Sequence, residues 1–344
     1  MRILFDIGHP GHVHFFKHAI QHLQNSGHEI SISARDKDVT LDLLESYGFP
    51  YRMLSGMGNG KWSLYREFIE REFALFNLIR EVKPDVVTAI GGVFIAPVCK
   101  VLRVPSLVFT DTEHVAIDRW LTNPFASKIC TPACFLKDLG ERQIRYKGYH
   151  EIAYLDPRYF QPDRQIVNDL GIDENERFFI LRFVAWNASH DVGHYGFSNT
   201  LKQKSVEILG QYGRVFISSE AKLPAEFEPF RLTVPSHKMH HVIAFADLYI
   251  GEGATMATEA GVLGTPSVYV SSLVGTMGNF VELEQQQLVY SFSRAEQALE
   301  YAMELIQDTE SKEQWMQRRN NMLSQNIDVT QFVIQQIETA SSLS

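Results

Sequence analysis

Cysteine is scarce, with Cys99, Cys130 and Cys134 the three in 344 residues. An odd count without small-scaffold spacing argues against a disulfide framework and fits reduced thiols. Long apolar runs are missing too, and no stretch reaches the roughly 20 apolar residues of a spanning helix. The opening MRILFDIGHPGHVHFF breaks off into a Gly/His segment without cleavage-type small residues, so it does not read as a signal peptide. Positive charge is in deficit, with 32 Lys and Arg against 41 Asp and Glu and a formal net charge of −9. That balance excludes bulk nucleic acid as the main partner, which demands a basic footprint. A local basic patch at a phosphate site stays compatible with it. Several nucleotide and metal signatures are also absent: no Walker loop, no Gly-x-Gly-x-x-Gly after the first strand, no Cys-x-x-Cys and no His-Glu-x-x-His. Nicotinamide chemistry and a structural metal at His12/His14, His190/His194 or His237/His240/His241 are therefore not expected, and no cofactor is. The expected place is the cytoplasm, with a peripheral position on the inner membrane face left open.

What is present is an ordinary globular balance, 45% apolar and 21% charged, in a chain long enough for two domains. RILFDI (2–7) is a short apolar run that predicts a buried strand, and GHPGHVH predicts a tight loop. FFKHAIQHLQNSG then predicts an amphipathic helix stopped at Gly27, HEISISAR a strand, and DKDVTLDLLESYG a second glycine-closed helix. Residues 55–61 read as a loop and 62–82 as a helix, with Tyr65, Phe68, Ile69, Phe73, Phe76 and Ile79 at helical spacing. Strands follow in PDVVTAIGG and PSLVFTD, with the helix FIAPVCKVLR between them. Residues 151–176 lack strand signals and carry the interdomain connection. The second half restarts at RFFILRFVA and alternates strand and helix to SVYV, and 294–339 is helical. This predicts an α/β protein of two Rossmann-like domains whose parallel sheets face across a cleft. The domains are set at 1–160 and 161–320, with a closing helix in 321–344 able to pack back on the N-terminal domain.

An internal echo runs between the halves. Asp85-VVTAIGG reaches Val104-Pro105-SLVF as Asp247-LYIGEG reaches Thr265-Pro266-SVYV, with aspartate-to-proline spacings of 20 and 19. Duplication and the general likeness of βαβ units both account for it.

The strongest chemical signal is Gly251-Glu252-Gly253-Ala254-Thr255-Met256-Ala257-Thr258-Glu259, after a predicted strand and opening a predicted helix. Glycines allow close backbone approach, and the first-turn N–H groups suit a pyrophosphate. Thr255 adds a hydroxyl, and Glu259 could accept from ribose hydroxyls. The plainer alternative is a strand-to-helix turn whose glycines serve packing. The second signal is Gly8-His9-Pro10-Gly11-His12-Val13-His14. A histidine there has a pKa suited to taking a proton at neutral pH, with His12 preferred and His14 second; the alternative is that these rings satisfy loop carbonyls or cradle phosphate. Asp111, Glu113 and His114 follow a strand's carboxyl end, where they could hold hydroxyls or supply a base, or merely cap the next helix. Arg182, Trp186, Ser189, His190 and Asp191 follow the first strand of the second half, and Ser218, Ser219 and Glu220 end another. The helix at 62–82 carries Lys61, Trp62, Arg66 and Arg71. Glu67, Glu70 and Glu72 interrupt that basic face, which favours a core-facing helix with ion-paired outer residues over a membrane-binding face.

The glycine stretch resembles the nucleotide-binding segment of GT-B glycosyltransferases, above all the N-acetylglucosaminyl transferases of lipid-linked peptidoglycan precursors. There Gly-x-Gly-Ala-Leu-Thr leads to a glutamate and then to Ala-Leu-Gly-x-Pro. The resemblance places diphosphate binding on Gly253, Ala254 and Thr255 and ribose binding on Glu259, and Gly11-His12 matches the family's N-terminal Gly-Gly-His loop. It implies that Arg182, Ser189 and His190 face the donor, and that an apolar patch with basic flanks can meet a membrane. The non-hydrolysing UDP-N-acetylglucosamine 2-epimerases are also similar, but Thr258-Glu259 stands where they have Glu-Glu. Over nearly its full length the chain resembles the prokaryotic domain of unknown function 354 family. That likeness rests on FDIGHPGHVHFF, Ala34-Arg35-Asp36-Lys37-Asp38-Val39-Thr40, Asp111-Thr112-Glu113-His114, Ala188-Ser189-His190-Asp191, Ser218-Ser219-Glu220 and the Gly-Ala-Thr-Met-Ala-Thr-Glu-Ala stretch. Glu252 replaces that family's usual aspartate. Together these resemblances imply a metal-independent enzyme moving a sugar from a nucleotide-sugar, UDP-linked, to a glycan or lipid-linked acceptor. The rivals are an epimerase or hydrolase of the nucleotide-sugar and a non-catalytic binding protein.

Overall fold

The computed structural model describes residues 1–56, 61–183, 196–219 and 222–340. The chain divides into two compact units, Met1–Tyr154 joined by the stretch from Asn326 onward, and Leu155–Gln325.

The first unit is built on strands β1 (Arg2–Ile7), β2 (Glu29–Asp36), β3 (Arg52–Gly56), β4 (Val86–Ile90), β5 (Ser106–Phe109), β6 (Lys128–Pro132) and β7 (Gln143–Tyr146). They form one sheet in the order β3-β2-β1-β4-β5-β6-β7, every pair parallel. Ile3, Leu4, Phe5, Val86, Val87, Leu107 and Val108 are buried, so the central strands read as continuous apolar runs. The helices are α1 (Pro10–Asn25), α2 (Thr40–Ser46), α3 (Lys61–Val82), α4 (Ile95–Leu102) and α5 (Asp118–Leu121), and α6 (Ile152–Leu155) leads into the second unit.

The second unit has β8 (Phe178–Arg182), β9 (Arg214–Ser218), β10 (Leu248–Gly251), β11 (Ser267–Val270) and β12 (Val289–Phe292), all parallel, in the order β12-β11-β10-β8-β9. Its helices are α7 (Arg164–Asn168), α8 (Asn199–Leu209), α9 (Met239–Phe245), α10 (Ala254–Leu263), α11 (Gly278–Gln285), α12 (Ala295–Gln307) and α13 (Ser311–Gln325). The chain then returns to the first unit as α14 (Val329–Ala340), which packs on α1, β4 and β5 and donates from the Thr330 hydroxyl to the Ala153 carbonyl at 2.6 Å. Among the described residues no helix is long and apolar enough to cross a membrane.

Three expectations need correction. The loop expected at GHPGHVH ends at His9, because α1 begins at Pro10. Proline's fixed φ suits the first helical position, and the His9 ring caps the turn by accepting from the Gly11 N–H at 3.1 Å. Helix α3 is turned partly away from the face its apolar spacing suggested, since of that set Ile79 is buried and Phe68 and Phe76 are half-buried. Glu67 and Arg71 are buried on its inner side, while Ile69 and Phe73 point outward at 50% and 67% exposure. Buried ion pairs, described below, outweigh apolar burial in that half of the helix, and only its second half, with Leu75, Leu78 and Ile79, buries an apolar stripe. Finally, β3, β6, β7 and β12 escape the pattern; Ser55 and Gly56, expected in a loop, are paired strand.

Candidate active site

In the second sheet the strand order reverses between β8 and β10, which leaves a crevice at their carboxyl ends where parallel α/β sheets bind ligands. Helix α10 starts there. Gly253 precedes it with no side-chain cap, and its first turn holds no acidic residue, so the positive end of the helix dipole is not offset by a side chain. Arg182 ends β8 in register with Gly251, and its Nη1 donates to the Ser218 Oγ at 3.1 Å. Its stem lies across Gly253, where a Cβ would stand 3.0 Å from the Arg182 Cγ and 3.2 Å from the Tyr249 hydroxyl. That hydroxyl donates to the Gly253 carbonyl at 3.0 Å, and burial pushes the phenol's pKa up, so it stays a donor. At Gly251 a Cβ would collide with the Arg182 backbone, so this glycine serves strand packing. The cradle is thus the first turn of α10 around Ala254, exposed Thr255 and half-buried Met256, with one guanidinium beside it. Such a site suits a phosphate or diphosphate.

Neighbouring residues tie the cradle down. Glu252 accepts from the Phe197 N–H at 2.7 Å and faces Lys202, whose pKa burial lowers and Glu252 raises. Glu259, the residue expected at the ribose, is buried, and its Oε1 lies 2.9 Å from the His240 Nε2 on α9. His241 has a different partner, its Nδ1 accepting from the Asp163 N–H at 3.0 Å. Ser219 is half-buried just past β9. Trp186, Ser189, His190, Asp191 and Glu220 lie outside the described residues.

In the first sheet the reversal falls between β1 and β4, and Gly8 follows β1. Gly8 donates its N–H to the His12 Nδ1 at 3.2 Å. The neutral His12 ring therefore carries its proton on Nε2 and is a donor there. Burial, then charge on His9, His150, Lys37 and Arg71, holds this half-buried ring well below the usual histidine pKa. Neither Gly8 nor Gly11 has a positive φ, so the backbone does not require glycine at either. His14 is buried, with its Nδ1 3.3 Å from the Tyr47 hydroxyl and its ring stacked on Tyr154 at 5.4 Å, so it is part of the core. Asp111 accepts from the Thr112 hydroxyl at 3.0 Å and lies 3.4 Å from the His150 Nδ1. Glu113 is buried and accepts from the Leu136 N–H at 3.1 Å, and the Lys137 ammonium donates to its carbonyl. His114 is exposed.

Sequence reasoning missed two groups here. His150 is buried, its pKa lowered by burial against the pull of Asp111, and its Nε2 has no hydrogen-bond partner among the described residues. Nothing in Gly148-Tyr149-His150 marks it beforehand; the return of the chain beside β5 brings it to Asp111. The other group lies under the β1 end. Fully buried Arg71 donates to the Asp6 Oδ1 at 2.6 Å, Ser33 donates to the same oxygen at 2.7 Å, and Arg35 holds Glu67 at 2.6 and 2.8 Å. Arg71, weighed as a surface cation, is a core ion pair. The side chains of Lys61, Trp62 and Arg66 lie outside the described residues.

Two parallel sheets with covering helices, each with polar groups at its switch point, define a GT-B-like α/β protein. A structure of UDP-GlcNAc 2-epimerase from Neisseria meningitidis bound to UDP-GlcNAc is similar at a TM-score of 0.69 and 13% identity, covering 98% of this chain and 100% of that one. The S. aureus MnaA–UDP structure gives 0.71 at 13% identity over 100% and 97%, and Acinetobacter baumannii MurG gives 0.57 at 14% identity over 98% and 100%. The chain belongs to the family described as Protein of unknown function (DUF354), whose model matches residues 1–335. Its relative MJ0665 of Methanocaldococcus jannaschii is 27% identical over 295 residues, 82% of this chain and 86% of that protein.

Proposed function

We propose that this protein is a metal-independent glycosyltransferase that moves a sugar from a UDP-linked donor to a glycan or lipid-linked acceptor. One observation carries the reading: the uncapped start of α10 stands beside Arg182 at the switch point of the second sheet. Helix-start N–H groups and a guanidinium stabilise a leaving diphosphate as its charge grows, without a metal. Glu259, oriented by His240, takes the ribose hydroxyls. The UDP-GlcNAc and UDP of the similar epimerase and MnaA structures support uridine as the base. In the transfer, the acceptor oxygen bonds to the anomeric carbon, the bond to the diphosphate breaks, and the acceptor's proton leaves to a base. His12 is the first choice for that proton. It is kept neutral, as a base must be, and it accepts at Nε2 once its ring proton has moved from Nε2 to Nδ1, a tautomer change that breaks the bond from the Gly8 N–H. Asp111, Glu113 and His114 are assigned to the acceptor and Ser219 to the donor, and the family resemblance assigns Ser189, His190 and Glu220 to the donor as well. The enzyme works in the cytoplasm, at the membrane face when the acceptor is lipid-linked.

A second reading, epimerisation or hydrolysis of the same nucleotide-sugar, is favoured by the higher TM-scores of the epimerase and MnaA structures than of MurG. Product analysis separates the two. Transfer requires an acceptor, whereas donor alone turning over to a new sugar or free sugar supports the second reading. With transfer established, His12→Ala should lower kcat by about 10²-fold or more while donor affinity changes little. Near-normal turnover would remove His12 as the base.

A further inference from the structure

The first unit holds a cavity of about 550 Å³ at the carboxyl ends of β4, β5 and β6. Gly91 and Gly92 form one side, and Thr112 and Glu113 bring in the turn that also carries Asp111. Small-molecule sites typically measure about 300–1,000 Å³. Its lip is α5. Trp120 there is 71% exposed, an indole face of unusual availability, and the Arg119 guanidinium lies 5.9 Å from that ring. Arg119 has no carboxylate partner among the described residues. Immediately before it in the chain, Asp118 accepts from the Thr122 hydroxyl through Oδ1 at 2.7 Å, and its second oxygen has no hydrogen-bond partner among the described residues.

We propose that this cavity binds a neutral pyranose ring, stacked on Trp120 with its hydroxyls held by Asp118 and Arg119. A pyranose has an apolar C–H face and a rim of hydroxyls that both donate and accept. The lip offers the matching set: an aromatic plane, a carboxylate acceptor and a planar donor fork. Charge argues against an anion, because Glu113, Asp118 and Asp138 outnumber Arg119 and Lys137 in the lining. A wholly apolar ligand would leave Asp118 and Arg119 desolvated without partners, a penalty that selects against it. That this sugar is the acceptor rests on the transfer reading above; that the cavity binds a sugar does not.

Saturation-transfer NMR on the full chain without nucleotide tests it, using neutral oligosaccharides of glucose, galactose, mannose and N-acetylhexosamines, their uronic acids, and octyl glycosides of the same neutral sugars. At least one neutral pyranoside should bind, and Trp120→Ala and Asp118→Asn should each weaken it tenfold or more with Tm unchanged. Tighter binding of the octyl glycoside points to a lipid-linked source and equal binding to a free glycan, and either supports the proposal. Binding of uronic acids alone, binding unaltered in both variants, or no binding by any sugar overturns it. A parallel UDP titration separates the two readings. UDP bound without any sugar sinks the cavity and spares the donor site; sugar bound without UDP does the reverse.

Discussion

The echoing segments of the two units occupy the same place and do different work. Asp85 accepts the Arg2 N–H at 2.7 Å and donates its own N–H to the Arg2 carbonyl; Asp247 does the same with Phe178, accepting at 3.0 Å. Val87 then donates to the Pro105 carbonyl as Tyr249 donates to that of Pro266. Each aspartate therefore pins the start of the neighbouring strand, a structural reason for the repeat that owes nothing to ligands. Four residues on, strand register sets Asp6 opposite Ala89 and Arg182 opposite Gly251. At equivalent points one unit carries a carboxylate neutralised by buried Arg71, and the other a guanidinium beside an uncapped helix start. The shared scaffold supplies a crevice at both points, and the strand-end residue sets its charge, a carboxylate in one and a guanidinium in the other.

The largest expected effect comes from removing the neutraliser. Arg71→Met leaves Asp6 buried and uncompensated, at a cost of about 3–5 kcal/mol. Hydrogen exchange should rise throughout β1, β2 and β4 and leave β8 and β10 protected. Equal loosening of both units would break the comparison. Next is the strand-end glycine. Gly251→Ala forces a Cβ into the Arg182 backbone and should cost about 1–3 kcal/mol, seen as a lower denaturation midpoint. Gly91→Ala, at φ +68° with nothing within 4 Å, should cost about 1–2 kcal/mol through backbone strain alone. Acid sensitivity comes last because it appears only below about pH 6.5. Burial lowers the pKa of His12 and His150 and takes His18 to about 4, all in the first unit. Their folded values lie below the unfolded one, so the unfolded chain binds more protons as pH falls below about 6.5, and stability is lost from there down through about 4. Half-buried Asp118 and Glu72, whose pKa values burial raises, oppose this in part. The first unit should loosen in acid before the second, and His18→Gln should narrow the gap between them.

Much of this frame was legible in the sequence, because buried parallel strands are continuous apolar runs and glycine closes helices. Strands β3, β7 and β12 were not, since edge strands are short and mixed in polarity. The face of α3 was misjudged because Arg71 finds Asp6 sixty-five positions away, a pairing that no local pattern announces. The α10 cradle and Arg182 could be read from glycine spacing and strand ends. The His240–Glu259 and His150–Asp111 pairs could not, because each joins distant elements. The cavity at α5 was equally hidden, since Asp118, Arg119 and Trp120 acquire meaning only beside the turns after β4 and β6.

Calorimetric titration of UDP into the wild-type chain and Arg182→Ala bears most directly on the claim that the strand-end cation makes the second unit an anion site. Wild type should bind, and the variant should bind about 10–100-fold more weakly, as expected for a lost charged hydrogen bond of about 1.5–3 kcal/mol, with Tm unchanged. A wild-type chain indifferent to UDP, or a variant that binds it equally well, would contradict the account.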